Sequence, residues 1–232
     1  MKDKSITVFG GTPYLKPFEV WGDVTLIFDA ESITNYSCLL HADLVVFTGG
    51  EDVDPTIYGE EVLPTTQCNP ARDTAEIAVF EYCVSHHIPM AGICRGGQFL
   101  TVMSGGQLAQ QADNHLLPLD ETHEIITIDR DRLEEGYMAS ESAFGRVQVN
   151  STHHQLMYPW TLNKRDFILL AYVKGLSTEF LDICRGGRFS EPEALYYPKT
   201  ESLCVQFHPE LMDIDSEGFK YYQELLSTWC FK

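Results

Sequence analysis

Cys94 and His208 stand where a nucleophile and its base would be expected. Cys94 follows the apolar run Met90-Ala91-Gly92-Ile93 and precedes Arg95-Gly96-Gly97-Gln98. A short apolar run bounded by turn residues reads as a buried strand, and the residues after Cys94 read as the opening of a helix. The thiol then lies on a tight strand-to-helix turn, exposed at the carboxyl end of a sheet, where ligands of α/β proteins collect. Such a thiol can attack a carbonyl, because a helix N-terminus favours the thiolate and can hold a developing oxyanion. On sequence alone, the flanking glycines have no packing reason to bracket a buried thiol, which sets Cys94 apart from the other cysteines.

Attack by sulfur needs a base and an oxyanion site. His208 follows the apolar run Leu203 to Phe207 and precedes Pro209-Glu210, so it too is expected at the end of a strand. Glu210 can accept the second imidazole N–H, which fixes the tautomer and stabilises the imidazolium. Triads are defined by geometry, so the chain order Cys, His, Glu is no obstacle. The backbone N–H of Arg95 is one oxyanion donor. Gly49-Gly50, after the apolar run Asp43 to Phe47, offers a second. That pair is no phosphate loop, since the Gly-Lys-Ser/Thr ending is missing.

The rival residues are weaker. The seven cysteines, Cys38, Cys68, Cys83, Cys94, Cys184, Cys204 and Cys230, are irregularly spaced and form no C-x-x-C pair. Most are expected to be buried free thiols that pack as small hydrophobes. Ile183-Cys184-Arg185-Gly186-Gly187-Arg188-Phe189 nearly repeats Ile93 to Phe99. It has Asp182 in place of Gly92 and Arg188 in place of Gln98, and it reads as a loop. The histidines show no H-x-x-x-H or H-x-H-carboxylate spacing, so no metal site is expected.

The elements that must position these residues follow from periodicity. Strands are expected at Ser5 to Phe9, Val24 to Phe28, Asp43 to Phe47 and Met90 to Ile93. Further strands are expected at His123 to Asp129, Arg146 to Asn150, Phe167 to Val173, Ala194 to Tyr197 and Leu203 to Phe207. Helices are expected at Asp73 to His86, Arg95 to about Ser104 and Ser216 to Trp229. Gly10 to Asp23 holds Pro13, Pro17, Trp21 and Gly22, so no full first helix is expected there. Strand-helix alternation followed by a more antiparallel half implies a three-layer α/β fold with a mixed sheet, as a single domain over residues 1–232.

Composition narrows the function classes. The 232 residues are 44% hydrophobic and carry a formal charge of −18. That charge excludes nucleic acid as a direct ligand, because phosphate contacts need a basic face, and it disfavours anionic membranes. No apolar run reaches the roughly 20 residues that span a bilayer. The first residues lack the apolar core of a signal peptide, so a reducing cytoplasm is the expected compartment.

Together these motifs resemble a known family. Gly92-Ile93-Cys94-Arg95-Gly96-Gly97-Gln98 is similar to the G-x-C-x-G-x-Q nucleophile motif of class I glutamine amidotransferases, and His208-Pro209-Glu210 to their H-x-E motif. Within that superfamily the chain resembles γ-glutamyl-γ-aminobutyrate hydrolases and related γ-glutamyl hydrolases. The resemblance is carried by Thr48 to Gly59, by Arg72-Asp73 with Glu76, and by Val149 to Gln155. It implies a flavodoxin-like α/β core and hydrolysis of a γ-glutamyl amide or glutamine through a thioester, with no metal and no organic cofactor. It implies Cys94 as nucleophile, His208 as base and acid, and Glu210 as orienting carboxylate. Gly50 and Arg95 would supply the oxyanion N–H groups and Gln98 would contact the glutamyl group. Ser151, Thr152 and His153 would line the pocket, with His153 or His154 left open. A separate ammonia-accepting synthetase is the alternative partner to water, and a catalytically silent binding module is the non-enzyme alternative. Gln98 together with Gly49-Gly50 disfavours a cysteine peptidase. The short Gly10 to Asp23 stretch and the compact region after Pro118 depart from the family pattern, so the leaving amine stays open.

Overall fold

The computed structural model describes residues 3–28, 36–118, 120–128, 145–173, 177 and 190–231. Its elements are β1 (Lys4–Phe9), β2 (Gly22–Ile27), β3 (Leu44–Phe47), α1 (Pro70–His86), β4 (Met90–Ile93), α2 (Arg95–Met103) and β5 (Gln107–Ala109). They continue with β6 (His123–Thr127), β7 (Gly145–Val149), β8 (Leu156–Tyr158), β9 (Ile168–Val173), β10 (Glu191–Tyr197), β11 (Ser202–Val205) and α3 (Glu217–Trp229).

Among the described residues nine strands form one sheet in the order β2-β1-β3-β4-β11-β10-β9-β6-β7. The pairs β1–β2, β1–β3, β3–β4 and β4–β11 are parallel. The pairs β11–β10, β10–β9, β9–β6 and β6–β7 are antiparallel. The expected mixed α/β sheet is therefore present, parallel in one half and antiparallel in the other.

The central parallel strands β3, β4 and β11 are buried on both faces, as their apolar runs require. Successive side chains point to opposite faces. Leu44, Val46, Ala91, Ile93, Leu203 and Val205 face one layer, built on Phe219, Tyr222, Leu225 and Leu226 of α3. Val45, Phe47, Met90 and Cys204 face the other, with Val79, Phe80 and Cys83 of α1 and Phe99 and Leu100 of α2. Burying each such side chain contributes roughly 1.5–3 kcal/mol.

Helix α1 starts at Pro70, earlier than Asp73. Asn69 caps it by accepting the Arg72 N–H at 3.2 Å, and Pro70 suits the first turn because no N–H is needed there. Ser216 caps α3 in the same way, accepting from Phe219 N–H at 3.2 Å. Between the first two strands there is only a one-turn 3-10 helix, Thr12–Leu15, and no full helix. Strands β5 and β8 pair into a small second sheet that packs on α2, and neither is expected from periodicity. Three residues are too few to show a period. The loop reading of Ile183 to Phe189 and the side chains of Cys38 and Cys184 lie outside the described residues. No helix among the described residues is long and apolar enough to cross a membrane.

Candidate active site

Strands β4 and β11 are adjacent and parallel, with Ile93 opposite Val205. Their carboxyl ends therefore meet at one edge. Cys94 is the first residue past β4 and its N–H donates to Val205 O at 2.8 Å. His208 lies three residues past β11, so the tertiary structure brings it to the same edge as Cys94.

Cys94 adopts φ 51° and ψ −111°, a conformation that costs a non-glycine residue about 1–3 kcal/mol and marks a sharp elbow. The glycines around it do have a packing role, contrary to expectation. A Cβ on Gly92 would sit 2.4 Å from the Gly96 carbonyl carbon, and a Cβ on Gly96 would sit 2.1 Å from Phe47 O. Their bareness lets the first turn of α2 rest directly on β3 and β4, and that contact creates the elbow. The thiol is also less exposed than expected, at 7%. It reaches the outside through a cavity of about 280 Å³.

Cys94, Gly50, Arg95, Gln98, Thr152 and His153 line that cavity, with His154, Glu51 and Asp52 nearby on its wall. Arg95 is the first residue of α2, so its backbone N–H has no partner within the helix. Gln98 donates to Gln155 O at 3.0 Å, which ties α2 to the segment before β8. Ser151 is not among the lining residues. Its hydroxyl is turned inward and donates to His115 O at 2.7 Å.

His208 Nδ1 faces Glu210 Oε1 at 2.6 Å, so Glu210 accepts that N–H and leaves Nε2 for the thiol side. Nε2 is buried and makes no aligned hydrogen bond. Unliganded sites often show loose geometry of this kind. Burial works against a charged imidazole, but Cys94 and Glu210 outweigh it and push the His208 pKa up to about 10.

The guanidinium of Arg95, 2% exposed, pairs with Asp73 and Glu76 of α1. Both acids are buried and anchor the residue next to the nucleophile. Arg72 donates to Glu76 Oε1 at 2.8 Å, to Thr48 O at 3.0 Å and to Gly49 O at 3.2 Å. This network fixes the Thr48 to Gly50 loop. A Cβ on Gly50 would lie 2.2 Å from Arg72 Nη1, and the Gly50 φ of 142° also disfavours side chains. Three further residues hold the site and escaped the motif reading. Asn150 clamps the His208 backbone, donating to its O at 2.9 Å and accepting from its N–H at 2.8 Å. Gln206 donates to Cys94 Sγ at 3.9 Å. Tyr14 closes over Gly49, and its pKa is raised by burial and by Glu210 and Cys94. Only Asn150 carries a signal, as a member of the Val149 to Gln155 motif.

Known proteins place this arrangement. A Lactococcus lactis protein named as glutamine amidotransferase-like, YvdE, is 32% identical over 211 residues, covering 85% of this chain and 78% of that protein. A glutamine amidotransferase structure from Thermotoga maritima superposes with TM-score 0.57 at 16% identity, covering 97% of this chain and 84% of that one. The Trypanosoma brucei CTPS glutaminase domain with bound acivicin gives TM-score 0.57 at 14% identity, covering 97% and 93%. The last two show the fold: a class I glutamine amidotransferase-like, flavodoxin-type domain. With its model matching residues 18–210, the chain belongs to the Peptidase C26 family.

Proposed function

We propose that this protein hydrolyses the γ-amide of glutamine or of a γ-glutamyl amine through a γ-glutamyl thioester. The observation that carries the reading is the meeting of Cys94 and His208 at the ends of adjacent parallel strands, with Glu210 2.6 Å from the His208 ring. The Cys94 thiolate attacks the amide carbon and forms the C–S bond. The oxyanion is held by the N–H groups of Arg95 and Gly50. The His208 imidazolium gives its proton to the leaving nitrogen, the C–N bond breaks, and ammonia or an amine departs. Water then adds to the thioester while His208 takes its proton. The C–S bond breaks and glutamate leaves. Gln98 and Thr152 hold the glutamyl group, and the His153 ring lines the pocket beside them, with Ser151 against its Nε2. The free thiols of Cys68, Cys83, Cys94 and Cys204 fit a reducing cytoplasm.

A second reading keeps the chemistry and passes the ammonia to a separate synthetase. The likeness in fold to a CTPS glutaminase domain supports it. A panel of γ-glutamyl amines and glutamine, given to the isolated protein, separates the two. Fast cleavage of amines supports the hydrolase; weak glutaminase activity that rises with a partner supports the subunit. Full activity in Cys94→Ala would overturn both.

A further inference from the structure

Four segments of chain converge behind the cavity wall. His115 lies in the loop after β5, His123 opens β6, His153 lies between β7 and β8, and Glu191 and Glu193 lie in the first half of β10. His115, Glu191 and Glu193 are fully buried, His153 is 3% exposed, and the His123 side chain is 9% exposed.

Two of the imidazoles are oriented from behind. His153 Nδ1 lies 3.0 Å from Gln155 O. A carbonyl only accepts, so the ring proton sits on Nδ1 and Nε2 presents a lone pair. His115 Nε2 lies 2.9 Å from Glu191 Oε2, which accepts that N–H and fixes the ring with Nδ1 toward Glu193. Glu191 is itself held by the Ser177 N–H at 3.0 Å. A carboxylate or carbonyl behind each ring is the arrangement that metal-binding histidines use to fix their tautomer.

The bare atoms point at one another. His115 Nδ1, His153 Nε2 and a Glu193 oxygen all lie within 4.8 Å. Glu193 Oε1 is 3.9 Å from His115 Nδ1 and 3.4 Å from His123 Nε2. Four ligands around a tetrahedral zinc, each about 2.1 Å from it, stand roughly 3.4 Å apart. Among the described residues Ser151 Oγ lies beside both rings, 3.1 Å from His153 Nε2 and 3.4 Å from His115 Nδ1, and it donates to His115 O. Neither Glu193 oxygen and neither His123 ring nitrogen has a hydrogen-bond partner. Glu193 is fully buried with neither carboxyl oxygen hydrogen-bonded, and such a group is costly unless a cation or a proton meets it.

We propose that this cluster binds one divalent transition-metal ion of the zinc class. His115 Nδ1, His153 Nε2 and the Glu193 carboxylate would be its ligands, with His123 behind Glu193 at 3.4 Å. Imidazole nitrogens with one carboxylate suit zinc, whereas magnesium and calcium take oxygen sets. The ion pins four chain segments together and fixes the wall that His153 presents to the cavity. No step of the reaction runs through it, and the proposal stands whether or not Cys94 is a nucleophile. The competing occupant is a proton on Glu193, shared with His123.

The test uses the whole chain, stripped with EDTA and then reconstituted. Elemental analysis should find one zinc per chain after reconstitution. Competition with a chromophoric chelator should give a Kd well below ~1 μM, and zinc should raise the Tm of stripped protein. Cobalt(II) in place of zinc should give the visible bands of a four-coordinate site. Glu193→Gln and His115→Gln should each weaken zinc by about 100-fold or more, while the surface variant His86→Gln should not. If the ligand variants do not fold, the chelator titration and the cobalt spectrum of the unaltered chain still decide. Absence of zinc uptake by the stripped protein, or a Glu193→Gln variant that binds zinc as the parent does, overturns the proposal. A Glu193→Gln variant that is more stable than the parent with or without zinc points to the shared proton instead and overturns it too.

Discussion

On one side of the cavity, Asp73 and Glu76 of α1 are buried against Arg95 and Arg72. On the other, Glu191 and Glu193 of β10 are buried against three imidazoles. Both clusters hold two carboxylates, but the first carries its own cations. Guanidinium groups stay charged at any physiological pH, so the first cluster is complete in protein atoms and can clamp the Thr48 to Gly50 loop. Imidazoles are neutral when burial outweighs their partners. The same residue type shows both outcomes here. Burial, with His115 beside it, pushes the His123 pKa down to about 4, whereas Cys94 and Glu210 push His208 up to about 10 despite burial. The contrast teaches that the neighbour, more than depth alone, sets what a buried histidine can do.

The largest expected effect tests the side that holds the thiol. Cys94→Ala should lower kcat/KM for a γ-glutamyl substrate by about 10⁴-fold or more, with the fold intact by circular dichroism. The next compares the clusters directly. Arg95→Met strands Asp73 and Glu76 and should cost about 3–5 kcal/mol in urea unfolding. Glu193→Gln in metal-stripped protein replaces a buried carboxyl that has no hydrogen-bond partner and should change stability by less than about 1 kcal/mol. Equal losses in the two variants would erase the distinction drawn between the clusters.

Asn150→Ala should act on position rather than on fold alone. It removes both hydrogen bonds that hold the His208 backbone, at a cost of about 1–3 kcal/mol. The expected result is a fall in kcat of about tenfold or more with KM little changed, and Asn150→Asp should recover only part of it.

The mildest effect is on pH dependence. The folded His208 pKa lies above its usual 6.5, at about 10. Its proton thus adds stability that is fully present below about pH 6.5 and is lost as pH rises through 10. Thermal unfolding of the parent should weaken over that window more than that of His208→Gln. Parallel curves would show that His208 is not held charged.

Much of the site was legible because its signals are local. Gly92, Cys94 and Gly96 sit within one strand-turn-helix, so the turn that carries the thiol was legible, whereas the contact of the bare glycines with β3 and β4 was not. His208 and Glu210 are two residues apart, so their pairing needs only the turn they share. The central parallel strands were legible because burial on both faces leaves unbroken apolar runs. Strands β5 and β8 were not, being too short to show a period, and β10 was read three residues short because Glu191, Pro192 and Glu193 look unlike a buried strand.

What the chain alone determined was the chemistry available at Cys94, and the elements that would carry it. What only the tertiary structure decided was which distant groups meet. The pairing of β4 with β11 puts a histidine beside the thiol across more than a hundred residues, and the antiparallel half gathers His115, His153 and Glu193 into one buried space. Periodicity is a property of neighbours along the chain, whereas convergence depends on strand order and register, which no local pattern records.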